Sequence, residues 1–261
     1  MSRWYLLLEN APLPAAVNMA RDEFLFQWCQ ENKAGFLRLY AWDRPSFSIG
    51  ASQKSSRAVN LDALRRQGLP LVRRITGGKT VLHDQEVTYA VVSSEDFFHR
   101  DNDLLQSYRL IAEILVSAFK RVNIPAVLSK AHHPGLARSD HPCFSFPTPN
   151  EIEIRDRKIV GSAQKRNQKA LLQHGSIPIS MNYELYALGT RMPARRIREN
   201  MITLHDVNPD LTRKELCLAM VEAFQEFTGQ PFEEYDIEAE DPRMLETLVE
   251  KYSGDDWNLS L

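Results

Sequence analysis

The chain has only three cysteines in 261 residues, at positions 29, 143 and 217, an odd number at wide spacing with no CxxC pair. That excludes a disulfide framework and suits reduced thiols, so the expected compartment is the cytoplasm. Glycine is scarce too, with 11 residues, and neither GxGxxG nor GxxxxGK[ST] occurs, which excludes the common dinucleotide and P-loop fingerprints. Charge of one sign is not in excess: 32 Lys and Arg face 34 Asp and Glu, a formal net charge of −2. A generically basic nucleic-acid binder is thereby excluded. Long hydrophobic runs are absent, since stretches such as Trp4 to Leu8 and Ala90 to Val92 fall far below the roughly 20 residues of a membrane-spanning helix. Glu9 ends the first run before the roughly 7 apolar residues of a signal peptide, so neither a membrane segment nor a leader is expected.

What remains is the composition of an ordinary folded protein, 43% hydrophobic and 25% charged. A chain of this length buries roughly three quarters of its unfolded surface and needs no cross-links. Trp4 to Glu9 reads as a strand, and Asn18 is expected to open an amphipathic helix carrying Met19, Phe24, Leu25 and Trp28. Phe36 to Trp42 and Phe47 to Ile49 read as strands around Asp43-Arg44-Pro45, which suggests a hairpin. Asn60 caps a short helix that Gly68 ends, and Leu71 to Arg74, Val81-Leu82 and Val87 to Val92 resume extended structure. Asp101 or Asp103 is expected to cap a long helix whose stripe of Leu105, Tyr108, Ile111, Ile114, Leu115 and Phe119 should lie across a sheet. Glu151 to Ile179 is β-rich. Thr212 to Phe227, with Gly229 beyond it, and Asp241 to Tyr252 read as helices. Strand-rich runs with separate helices point to an α+β (mixed α/β) architecture in a single domain over residues 1–261, with a helical C-terminal end from about residue 210 and no separate accessory domain.

Three stretches could carry chemistry. Arg73-Arg74-Ile75-Thr76-Gly77-Gly78-Lys79 sets two cations before a glycine pair, where exposed backbone amides suit a carboxylate, carbonyl or phosphate oxygen; taken alone, the glycine pair is read more readily as a hairpin turn with solvated arginines. Cys143 sits in a loop after His141-Pro142, accessible as a nucleophile if cations favour its thiolate, or else an inert thiol. His132, His133, His141 and Cys143 match no common zinc spacing, so no metal is expected. Lys158 precedes the small residues Gly161, Ser162 and Ala163, with Gln164 and then His174-Gly175 beyond, so its ammonium could meet a carbonyl oxygen or simply face water. The run Arg191, Arg195, Arg196 and Arg198 reads as a solvated helix face that could also dock an acidic partner.

In combination these motifs resemble the biotin/lipoate protein ligase family. The resemblance extends to Asn18-Met19-Ala20-Arg21-Asp22-Glu23, Arg38-Leu39-Tyr40-Ala41-Trp42 and Tyr252-Ser253-Gly254-Asp255-Asp256-Trp257-Asn258, and so covers nearly the whole chain. It implies a mixed sheet flanked by helices, related to biotin ligases and class II aminoacyl-tRNA synthetases. Cys143-Phe144 upstream of the Glu151-Ile152 strand is similar to the cysteine-bearing loop of the octanoyltransferases that share the ligase fold. The resemblance then implies octanoyl transfer from acyl carrier protein, through a Cys143 thioester, to a lysine of a lipoyl domain such as glycine cleavage H protein or a 2-oxoacid dehydrogenase E2. Lys158 would hold the carbonyl and its oxyanion. Arg73, Thr76, Gly77, Gly78, His83, Gly161, Ser162, Ala163, Gln164, His174 and Gly175 would bind substrate; the resemblance does not place the acyl slot residue by residue, and Phe47, Ile75 and Val160 are candidates for it only by their nearness to the motifs. No cofactor, nucleic acid or membrane is implied. An ATP-dependent lipoate ligase using ATP and Mg, a lipoyl amidotransferase with the same cysteine, and a non-catalytic acyl-binding protein remain as alternatives.

Overall fold

The computed structural model describes residues 3–94, 104–129 and 151–261. In chain order the first elements are β1 (Arg3–Leu8), α1 (Ala15–Trp28), β2 (Ala34–Tyr40), β3 (Ser46–Ile49), α2 (Ser55–Ala58), α3 (Leu61–Gln67), β4 (Leu71–Arg73), β5 (Val81–His83) and β6 (Glu86–Ser94). There follow α4 (Leu104–Arg121), β7 (Val127–Leu128), β8 (Ile152–Ile154), β9 (Arg157–Lys158), β10 (Gly161–Arg166) and β11 (Ala170–Pro178). The last part holds α5 (Tyr183–Thr190), α6 (Ala194–Asn200), α7 (Arg213–Thr228), β12 (Glu233–Glu234), α8 (Ile237–Glu240), α9 (Pro242–Ser253) and α10 (Asp255–Asn258).

Six strands make one mixed sheet in the order β10-β11-β6-β2-β1-β12, parallel where β1 meets β2 and β12 and antiparallel elsewhere. Strands β2, β6 and β11 are buried at every position, as their near-continuous apolar runs require. Alternation divides their side chains between two cores. Leu37, Leu39, Val87, Tyr89 and Val91 face α4 and α7 through Ile111, Leu115, Phe119, Met220 and Phe224. Phe36, Tyr40, Ala90, Val92 and Leu172 face α1 and α9 through Met19, Phe24, Leu248 and Tyr252. A second sheet, β4-β3-β5, packs Phe47, Ile49 and Leu82 against Tyr186, Met192 and Ile197 of the α5–α6 segment. The mixed sheet flanked by helices is the architecture the resemblance implies, and the α4 stripe from Ile111 to Phe119 lies across that sheet as expected, whereas Leu105 at its start is exposed. The expected caps of α4, Asp101 and Asp103, lie outside the described residues. Among the described residues no helix is long and apolar enough to cross a membrane.

Two local expectations are corrected. The strands around Asp43-Arg44-Pro45 form no hairpin: β2 lies between β1 and β6, whereas β3 pairs with β4 and β5 in the other sheet. The turn residues mark a reversal but not a partner. Helix α1 begins at Ala15, after Pro14, and Asn18 sits inside it, where its side chain donates to the carbonyls of Leu13 (3.2 Å) and Ala41 (3.0 Å). An internal polar residue with buried backbone partners mimics a cap in sequence.

The two sheets leave little slack where α5 crosses β3. A Cβ built on Gly189 would lie 2.1 Å from the Phe47 ring, which is fully buried. Gly189→Ala is therefore expected to cost about 1–3 kcal/mol through overpacking, read as a lower urea midpoint at unchanged slope; an unchanged midpoint would mean the contact is slack.

Candidate active site

Cross-strand register builds the site. Arg38, Ala90, His174 and Ala163 are successive partners in one row, and Tyr40, Thr88, Ser176 and Gly161 in the next. Both rows face the α1 side of the sheet, and their small members, Ala90, Ala163 and Gly161, withhold the volume that would otherwise fill it. The result is a narrow cavity between the two sheets. Met19, Tyr40, Thr88, His174 and Ser176 line one side, Ser48, Val81 and His83 of the second sheet another, and Arg74, Gly78 and Lys79 the connection between β4 and β5. That connection is not a hairpin turn, because β4 and β5 pair with β3 and not with each other. Gly78 adopts φ +84°, a left-handed conformation that favours glycine, and Gly50 beneath it has no room for a side chain, since a Cβ there would lie 2.2 Å from the Gly78 carbonyl oxygen. Arg74 fastens the loop by donating to the carbonyls of Gly77 and Lys79, both at 3.0 Å.

Two buried histidine–carboxylate pairs flank the cavity. The Asp22 carboxylate accepts from Arg38 Nη1 (2.7 Å) and the Tyr40 hydroxyl (2.8 Å), and lies 2.7 Å from His174 Nδ1. His174 Nε2 lies 2.7 Å from the Thr76 hydroxyl. Burial pushes the Asp22 carboxyl up, but the His174 hydrogen bond and the Arg38 charge outweigh it and hold Asp22 below the usual carboxylate range. Burial pushes His174 down, and Arg74 and His83 add to that against the opposing pull of Asp22, so the imidazole is neutral at pH 7. A neutral ring that donates Nδ1–H to Asp22 accepts the Thr76 hydroxyl proton at Nε2. On the other side, His83 Nδ1 lies 2.8 Å from Glu86 and its Nε2 lies 2.6 Å from the Ser48 hydroxyl, while the ring stacks 3.9 Å from that of Trp42. Ser176 donates to Glu86 (2.6 Å), and Arg74 Nη1 donates to Ser48 (2.6 Å).

Of the residues singled out in the sequence, Gly78, His83, Gly161, Ser162, Ala163, His174 and Gly175 line the cavity. Thr76 stands behind His174, Gly77 is held by Arg74, and Gln164 donates to Ser107 (3.0 Å). Arg73 requires a correction as a substrate-binding residue: its guanidinium is enclosed by the carbonyls of Gly50, Ala51, Gln53, Trp257 and Asn258 at 2.7–3.2 Å, and burial pushes its pKa down. Its backbone returns the contact, its N–H donating to Asn258 Oδ1 and its carbonyl accepting from Trp257 Nε1, both at 2.8 Å. The residue that lines the cavity is its neighbour Arg74. Phe47, Ile75 and Val160 belong one to each of the three cores and none lines the cavity, which corrects the expected acyl slot. Lys158 is buried on β9 and bonded to the Glu151 carboxylate. Arg195 of the basic run stands in solvent on α6, its side chain 91% exposed. Cys143, His132, His133 and His141 lie outside the described residues, and among the described residues no cluster of three metal-ligating side chains occurs.

Sequence reasoning missed Asp22, Tyr40, Ser48, Arg74, Glu86, Thr88 and Ser176 as site residues. A signal was present: polar residues two apart inside buried apolar strands, Arg38 and Tyr40, Glu86 and Thr88, His174 and Ser176, all on one face.

Residues 14–225 match the family model of the lipoyl protein ligase A/B catalytic domain. The chain belongs to that family. Octanoyltransferase LipM of Kyrpidia tusciae is 35% identical over 99% of both chains, and octanoyltransferase LipM of Bacillus subtilis is 31% identical over 96% of each. The crystal structure of a lipoate-protein ligase A bound with ATP superposes with a TM-score of 0.81 at 25% identity, covering 100% of this chain and 99% of that one. These curated relatives, matched over nearly their full length, are octanoyltransferases, and the chain is an acyltransferase of their kind acting in lipoate biosynthesis.

A histidine kept neutral by the fold binds fewer protons there than in the unfolded chain. Stability should therefore fall as pH drops below 6.5, the ordinary histidine value, and fall again in stronger acid as Asp22 takes up a proton. In His174→Gln the first part of the decline should flatten, measured as urea midpoints between pH 5 and 8; equal declines in both proteins would show that His174 is already protonated in the native state.

Proposed function

We propose that the chain transfers an octanoyl group from acyl carrier protein to a lysine of a lipoyl domain through a thioester on Cys143. Octanoyl transfer rests on the full-length similarity to octanoyltransferases. The choice of nucleophile is carried by the fate of the other thiols. Cys29 and Cys217 are buried, and burial pushes both thiols up, with Arg213 only partly opposing it at Cys217, so neither supplies a thiolate. Cys143 alone remains.

In this reading the Cys143 thiolate attacks the carbonyl of the carrier thioester and releases the carrier thiol. The lysine amine of the acceptor domain then displaces the cysteine and forms an amide. The first step exchanges one thioester for another and the second runs downhill, so neither ATP nor a metal is required. Lys158, once an acyl carbonyl arrives, exchanges part of its bond with Glu151 for the developing oxyanion. The cavity takes the acyl chain against Met19 and Val81. The amides around Gly77 and Gly78 support its polar end. Acceptors of the glycine cleavage H protein or E2 type fit this chemistry.

Intact-protein mass spectrometry after mixing with octanoyl carrier protein, without ATP, tests the reading. Wild type should gain one octanoyl group and Cys143→Ser none. The fold shared with an ATP-bound ligase favours one alternative, adenylate formation from lipoate and ATP; a folded wild type that gains no acyl group but releases pyrophosphate would establish it instead.

A further inference from the structure

Positive charge is concentrated on one layer of the molecule. Helices α2, α3, α5 and α6 cover the outer face of the β4-β3-β5 sheet, where Phe47 and Ile49 of β3 pack against them. These helices and their flanks, residues 51–70 and 181–200, carry eight Lys and Arg against three Asp and Glu, a formal +5 in a chain whose net charge is −2. Lys54, Arg57, Arg65 and Arg66 of the first stretch are exposed, as are Arg191, Arg195, Arg196 and Arg198 of the second. Within the layer Arg195 pairs with Glu199 (2.9 Å), Arg191 donates to the Ser56 carbonyl (3.3 Å), and Arg198 lies 4.3 Å from the centroid of the Tyr183 ring. Lys54, Arg57, Arg65 and Arg66 pair with no carboxylate among the described residues. Like charges left so largely uncompensated repel one another and work against compactness, so a role outside the chain accounts for them better than folding does. By contrast, residues 233–241, at the β12 edge of the large sheet, hold six carboxylates and no Lys or Arg.

The charged layer reaches the entrance of the cavity. The sheet beneath it has the cavity on its other face, because β3 sends Ser48 to the cavity and Phe47 and Ile49 to the helices. Gly78, which is exposed, and its neighbour Lys79 mark the rim. Thr80, the next residue, is fastened to the layer three times. Its hydroxyl donates to the Ala58 carbonyl (3.2 Å) and accepts from Gln53 Nε2 (3.4 Å), and its carbonyl accepts from the Tyr186 hydroxyl (2.9 Å). Gln53 and Ala58 bracket Lys54 and Arg57 in the chain, so these two cations stand beside the rim. A body docked on the layer is thereby placed next to the cavity.

We infer that this layer docks the acyl donor, an acidic carrier domain whose acyl group rides on a phosphodiester-linked arm. The inference rests on the carrier-protein reading above and on no particular nucleophile. Charge decides between the two protein substrates. The acceptor presents its lysine as an ammonium, which the field of the layer repels from the rim, whereas the donor presents a phosphodiester, which Lys54 and Arg57 attract. A carrier approaching the β12 edge instead meets carboxylates and is turned away, so the asymmetry orients the encounter as well as speeding it. The layer acts on docking and takes no part in the acyl transfer itself.

The test follows steady-state octanoyl transfer to a lipoyl domain, with octanoyl carrier protein as the varied substrate. The triple variant Arg57→Gln, Arg65→Gln, Arg66→Gln removes three exposed charges that lie outside the cavity. Its kcat/KM for octanoyl carrier protein should fall about tenfold at low salt, while kcat and the KM of the lipoyl domain change less than about twofold. The wild-type kcat/KM should drop steeply between about 20 and about 300 mM NaCl, and that of the variant much less. An unchanged kcat/KM for the carrier overturns the inference. So does a loss that falls on kcat or on the lipoyl-domain KM, which would assign the charges to the integrity of the site or to the acceptor. A folded wild type that takes no octanoyl group from the carrier without ATP fails at the earlier step, and then the donor reading falls and takes this inference with it.

Discussion

The site depends on one buried carboxylate. Asp22 leaves α1 and is met at once by Arg38 and Tyr40 of β2 and by His174 of β11, so a single side chain ties the helical layer to two strands of the large sheet. Arg38 is fully buried and also bonds the Asn18 side chain (2.8 Å) and Glu9 (3.1 Å), so its charge is compensated from several directions. Such clusters add little net stability compared with well-packed apolar residues, but removing one member of a buried pair typically costs about 3–5 kcal/mol, because the other charge is left stranded. The arrangement is therefore better understood as fixing a geometry than as holding the molecule together. It sets the His174 tautomer and with it the wall of the cavity.

The cavity exists because packing is deliberately incomplete on one face. On the α4 and α7 side, large residues such as Leu37, Tyr89, Ile111 and Phe224 close the core. On the α1 side, towards the end where the second sheet approaches, Ala90, Ala163 and Gly161 replace large apolar residues, and hydroxyls and imidazoles replace the rest. The space is bounded by hydrogen-bonded polar groups, with Met19 and Val81 as its apolar lining.

Much of the fold was legible because buried strands and amphipathic helices write their periods directly. Val87 to Val92 and the stripe Ile111, Leu115, Phe119 are examples, as is the cap at Thr212, whose hydroxyl accepts from the Glu215 N–H (3.2 Å). Pairing was less legible. Asp43-Arg44-Pro45 signals a turn, but whether the strands on either side join depends on partners more than 25 residues further on. The site was legible as motifs and not as roles. Arg73 and Arg74 are adjacent and chemically identical, yet a strand sends successive side chains to opposite sides, and only the position of Trp257 and Asn258, far along the chain, decides which one faces the cavity. Asp22 and Glu86 escaped for a related reason: a carboxylate in a helix or strand looks solvated until the cations and hydroxyls that cover it are known.

The contacts made by Arg73 have a mechanical implication. Its guanidinium and backbone grip the α10 segment while the next residue, Arg74, fastens the glycine loop over the cavity. Adjacent residues thus hold the glycine loop on one side and the α10 segment on the other, so a substitution that displaces Arg73 is expected to disturb both.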